Sequence, residues 1–166
     1  TYEEHYGIDF GKSLIAHQEE FKDYLLEIDA DMSIYEELNF IQLSDMERVC
    51  DYCENLSEYA ESLIEKGIVF SETGKGHLIQ MFDACGGAYR YALEAFENDD
   101  SEKALRTIEK ETEADGLEIS LRAKHIKRLT NNECNTQAGI VFLDAVLSLE
   151  RISDHARNIA EEVLGK

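Results

Sequence analysis

The chain has 166 residues, with 36 Asp and Glu against 16 Lys and Arg, a formal charge of −20, 43% apolar residues, four cysteines and no proline. That balance excludes nucleic acid, whose phosphates require clustered Lys and Arg, and argues against docking on anionic lipid. The apolar content suffices to bury roughly two thirds of the unfolded surface, and the missing proline points to long helices joined by short links.

The first apolar face runs from Phe10 to Ile28 through Leu14, Phe21 and Leu25, at the three-, four- and seven-residue steps of a helix. A second runs from about Ser33 to Lys66 through Phe40, Leu43, Met46, Val49, Cys53, Leu56, Ala60 and Leu63, and Gly67 stops it. A link with Ser71, Thr73, Gly74 and Gly76 precedes a third helix, predicted over His77 to Asn98. Ser101 with Glu102 marks the next start, and Leu105, Ile108, Thr112, Asp115, Ile119, Arg122 and Ile126 make one face of a fourth helix. The last helix spans about Thr136 to Leu164, with Phe142, Val146, Leu149, Ile152, Ala156, Ile159 and Val163 on its seam. Its most apolar stretch, Ala138 to Leu149, contains Asp144 and is too short to cross a bilayer. The fold class is therefore all-α, an antiparallel helical bundle. Helix-like surroundings for Cys50, Cys53, Cys85 and Cys134 favour a reducing, cytoplasmic setting over a disulfide framework.

Shifted by 103 residues, Glu47 to Glu58 aligns with Glu150 to Glu161, and the identical positions are Glu, Arg, Asp, Asn and Glu. A repeat kept only for its helical core would retain apolar residues instead. Glu47, Asp51 and Asn55, like Glu150, Asp154 and Asn158, recur every four residues and share one helix face. Carboxylates so placed repel, and a cation with a taste for oxygen ligands would offset the repulsion. Glu111 and Asp115 repeat the spacing on the preceding helix. Asp115 lies on the face of Leu105, Ile108 and Ile119, where burial without a partner would be expensive. Two helices could thus present carboxylates to one metal centre, although the Glu-x-x-His spacing of di-iron bundles is absent.

These residues resemble the PhoU family, whose helical repeats carry a Glu/Asp-x-x-x-Asp motif. The stretch Glu150-Arg151-Ile152-Ser153-Asp154-His155-Ala156-Arg157-Asn158-Ile159-Ala160 is close to the family's last-helix signature and departs chiefly at Ser153, where the family has Gly. The resemblance implies PhoU-like three-helix units, residues 74–166 forming a complete one and residues 1–67 a partial one. It implies a regulatory domain of phosphate transport that is not itself an enzyme. The expected metal ligands are Glu111, Asp115, Glu150 and Asp154, with Glu47 and Asp51 as a second candidate pair that Glu19 and Asp23 could complete. The ion would be divalent or ferric. Asn158 and Asn55 would support the ligands, and Arg151 and Arg48 would pair with carboxylates at the surface.

Such units occur as stand-alone regulators and as cytoplasmic tails of sodium/phosphate cotransporters. A chain starting mid-unit at Thr1 favours the tail. The expected partner is then the membrane portion of the same or an associated transporter chain, at the inner face of the cell membrane, with a homodimer allowed and no membrane insertion by this chain. A metal-dependent hydrolase or oxidase is the rival class. Cys50-x-x-Cys53 suggests zinc or redox chemistry, but no second pair follows at ribbon spacing, and core packing is the expectation.

Overall fold

The computed structural model describes residues 40–165. They form four helices: α1 Phe40–Glu65, α2 Glu72–Asn98, α3 Ser101–Thr130 and α4 Thr136–Gly165. The helix predicted over Phe10 to Ile28, the start of the second near Ser33, and Glu19 and Asp23 lie outside the described residues. No described helix is long and apolar enough to cross a membrane.

Each link is closed by the residue types that favour left-handed backbone. Gly67, at φ 61°, ends α1 as expected, with Ile68 N–H donating to Leu63 O at 2.9 Å. Asp99 takes the same role after α2 at φ 50°, and Asn132 after α3 at φ 57°. The link before α2 is shorter than expected, because Ser71 caps the helix by accepting from Gly74 N–H at 3.2 Å. Thr73, Gly74 and Gly76 are therefore helical, and α2 begins five residues before His77. At α3 the cap is Asp100, whose Oδ1 accepts from Glu102 and Lys103 N–H, and Ser101 is the first helical residue.

Helices α2, α3 and α4 pack mutually, while α1 lies along α4. The main core gathers Met81, Cys85, Leu121, Phe142, Val146 and Leu149, with Val49 and Leu56 from α1. Met46 anchors α1 in a second cluster with Ala88, Ala92, Ala156 and Ile159. Small residues line the seams, so the helices approach closely.

The exposed and buried faces of α3 differ from the sequence reading. Ala104, Thr107, Glu111, Ala114, Leu121 and His125 are buried, whereas Leu105, Ile119 and Ile126 are 54%, 69% and 51% exposed. The helix is turned by one residue, about 100°, from the face of large aliphatics. Close approach through Ala104 and Ala114 favours small residues along this part of the interface, and Leu121 fills the main core further along the helix.

Candidate metal centre

Turning α3 exchanges the roles of its two acidic residues. Glu111 is the buried carboxylate, 3% exposed, and Asp115 is partly open to solvent. Burial of Glu111 is offset by Arg157 of α4, whose Nη1 donates to both carboxylate oxygens at 3.1 and 3.2 Å. Arg157 also holds Glu161 through Nε at 2.7 Å. Arg157 occupies a position that the sequence reading assigned no role.

Glu111 and Asp115 from α3 and Asp154 from α4 place one ligand oxygen each within 4.8 Å of one another, the one such group of three among the described residues. Arg151 holds Asp154 at 3.2 Å and Glu150 at 3.5 Å, as expected for a surface partner. Glu150 stands beside the group. Its pKa is raised from the ordinary 4.5, by burial first and then by Asp154, with Asp115 and Glu118 adding to the repulsion and Arg151 opposing it. Its Oε2 is buried without a hydrogen-bond partner. That oxygen has only the ion pair with Arg151 at 3.5 Å, and oxygen ligands beside it suit a hard cation, so this donor set fits a divalent or ferric ion. The cation already present at Glu111 is Arg157, with which an ion would compete.

The structure brings Glu111, Asp115 and Asp154 together, with Glu150 near enough to feel their charge, and leaves the second pair apart. Glu47 and Asp51 are exposed on α1, with no third ligating group gathered around them among the described residues. The polar residue of that stretch that α4 does engage is Asp45. His155 Nδ1 donates to its Oδ1 at 2.7 Å, Asn158 Nδ2 does so at 2.9 Å, and His155 stacks on Tyr52. Asn158 and His155 thus tie α1 to α4 and do not support the carboxylate cluster. Periodicity could not find Asp45, because no acidic residue lies three or four positions from it.

Ser153, at the position where the resembled signature has Gly, is fully buried and donates to Glu150 O at 2.8 Å. It also bonds Cys85, whose thiol burial pushes up to about 12. Cys53 is likewise pushed up to about 12 by burial and by Cys50, as packing against the core requires and reactive thiolate chemistry does not.

The PhoU domain model matches residues 78–163, which carry all four clustered carboxylates. The chain belongs to the PhoU family. It is 28% identical over 121 residues to a phosphate-specific transport system accessory protein PhoU homolog 1 of Thermotoga maritima, a match covering 73% of this chain and 51% of that protein. A PhoU homolog of the same description from Zymomonas mobilis is 26% identical over 120 residues, covering 70% and 51%. The chain therefore spans about half the length of the curated relatives it matches. The crystal structure of PhoU from Pseudomonas aeruginosa superposes with a TM-score of 0.73 at 22% identity, covering 93% of this chain and 79% of that one, a likeness of fold.

Proposed function

We propose that this chain is a PhoU-type accessory regulator of phosphate transport, without turnover of its own, whose helices α3 and α4 are clamped by a metal ion. The convergence of Glu111, Asp115 and Asp154, with Glu150 beside them lacking a hydrogen bond at Oε2, carries the metal reading. A bound divalent or ferric ion would add to the positive charge that Arg151 and Arg157 already bring to these four carboxylates. The chain's own residues do the rest: Arg151 orients Asp154, Arg157 holds Glu111 until an ion shares it, and Ser153 fixes the α4 turn beneath Glu150.

The curated relatives are described as accessory proteins of phosphate-specific transport systems, which supports this reading over a cotransporter tail. The partner is then a separate transport system, met on the cytoplasmic side. The acidic surface suits a basic partner face.

Metal content and thermal midpoint before and after chelation, compared with Glu150→Gln/Asp154→Asn, test the site. Bound metal at fixed stoichiometry and a midpoint that falls on chelation in the wild type alone support the clamp. Absence of metal, with a variant more stable than wild type, removes it. Phosphate uptake in a host lacking its own PhoU protein tests the regulatory role, and hydrolysis of a phosphate ester by the metal-loaded chain would favour the enzyme instead.

A further inference from the structure

Nine large aliphatic side chains are exposed among the described residues, and four of them border one groove. Asp115 and Asp154 meet at one end of the seam between α3 and α4, and Leu129 lies against Gly139 at the other, where an added Cβ would stand 2.8 Å from Leu129 Cδ2. From Asp115 to Leu129 the seam runs about 21 Å, at about 1.5 Å per residue. Given the helical repeat, Ile119 and Ile126 of α3 point within about 40° of Asp115, and Leu147 and Ile140 of α4 within about 40° of Asp154. They are 69%, 51%, 42% and 57% exposed. The groove that holds the carboxylates thus continues as an open aliphatic strip. Exposed aliphatics scattered singly are ordinary, but a contiguous run marks an interaction surface.

Midway along the seam, Arg122 stands opposite Leu147. On α3, Ile119 and Ile126 lie three and four residues to either side of Arg122; on α4, Asp144 and Arg151 lie three and four residues to either side of Leu147. Both rows keep their pattern when turned end for end, because aliphatic exchanges with aliphatic on α3 and acid with base on α4. The charges at these positions suit that exchange. Arg122 is held by Glu118 at 2.9 Å and brings no unpaired charge to the middle. Asp144 is exposed and in no ion pair among the described residues. Arg151 is half-exposed, and it engages Asp154 through Nη1 and Glu150 through Nε, neither contact using Nη2. Over most of its surface a chain of charge −20 meets a second copy acid against acid. On this strip it does not.

We propose that the strip joins two copies of this chain in an isologous dimer, about a two-fold axis that crosses the seam between Arg122 and Leu147. The copies lie antiparallel, with Ile119 of each on Ile126 of the other, Leu147 against its counterpart at the axis, and Asp144 of each beside Arg151 of the other. A strip of this length gives a weak pair that forms as concentration rises. The dimer goes beyond the regulatory role proposed above and uses no metal.

Sedimentation equilibrium of the whole chain in chelator, at constant ionic strength and up to a loading of about 0.3 mM, tests it. A monomer–dimer equilibrium is expected, weakened at least tenfold in Ile119→Gln. Thermal melts at low concentration check that this variant, altered at an exposed position, folds as the wild type does. Asp144→Arg decides the arrangement. It lowers the negative charge of the chain, so general repulsion between copies falls, and only the lost pairing with Arg151 can weaken the dimer; weakening of at least tenfold is expected. Association unchanged or strengthened by Asp144→Arg overturns the antiparallel dimer. A dimer indifferent to Ile119→Gln lies on another face, and a chain that stays monomeric throughout leaves the strip to a different partner; either result overturns the proposal. Work in chelator reads the dimer whether or not the carboxylates take an ion, so its failure and that of the metal clamp are told apart.

Discussion

A single guanidinium nitrogen of Arg157 on α4 lies within 3.2 Å of both carboxylate oxygens of Glu111 on α3. The pair joins two helices at the acidic cluster and gives the buried carboxylate a counter-charge that does not depend on metal. Removing Arg157 leaves Glu111 buried and unpaired. Arg157→Gln is expected to lower stability by roughly 1–3 kcal/mol in chelator, measured by urea melts. Added metal should then raise the variant's midpoint more than the wild type's, because the ion no longer competes with a guanidinium. An equal response in both proteins would place the ion elsewhere.

Glu150 gives a pH signature of opposite sign to an ordinary ion-paired carboxylate. Its pKa in the folded chain is raised above 4.5, chiefly by burial, so the folded state holds its proton more tightly than the unfolded state does. Stability in chelator therefore falls as pH rises from about the ordinary carboxylate value through the raised one, and the loss is complete above it. Glu150→Gln removes that slope. At neutral pH the variant should gain at least the few tenths of a kcal/mol of a like-charge i,i+4 pair, and no gain should remain in acid below the ordinary value. Paired thermal melts across that range read the difference.

Asp45 fastens α1 to α4 by accepting from His155 and Asn158, while its Oδ2 is buried without a partner among the described residues. Asp45→Ala should cost roughly 2–3 kcal/mol, two charge-assisted bonds being lost. The loss is expected to be local. Amide exchange should accelerate along α1, whose helix contacts are with α4, and stay slow in α2 and α3.

The turned face of α3 separates two neighbouring positions by their energetics. Leu121, fully buried in the main core, should cost roughly 2–5 kcal/mol as Leu121→Ala. Ile119, 69% exposed, should change stability by no more than about 0.5 kcal/mol as Ile119→Gln. A large loss at Ile119 would mean that the aliphatic stripe is covered in the assembled protein.

Periodicity, the missing proline and the closing residues at Gly67 and around Asp99 determined that the described chain is helical and where its links fall, because backbone capping and 3.6-residue spacing are local properties of sequence. The Glu/Asp-x-x-x-Asp pairs were equally legible, since i and i+4 share a face whatever the helix packs against. Which face of α3 turns inward was not: Ala104–Ala114–Leu121 and Leu105–Ile119–Ile126 have the same period, and only close packing against α2 and α4 selects the smaller set. That choice buried Glu111, brought Arg157 to it across 46 positions of sequence, and left Asp115 more open. The same long-range placement gave Asp45 to His155 and Asn158, and set Arg128 and His125 between two helix N-termini. Contacts of this kind depend on how helices are turned and stacked against one another, so tertiary structure alone decided them.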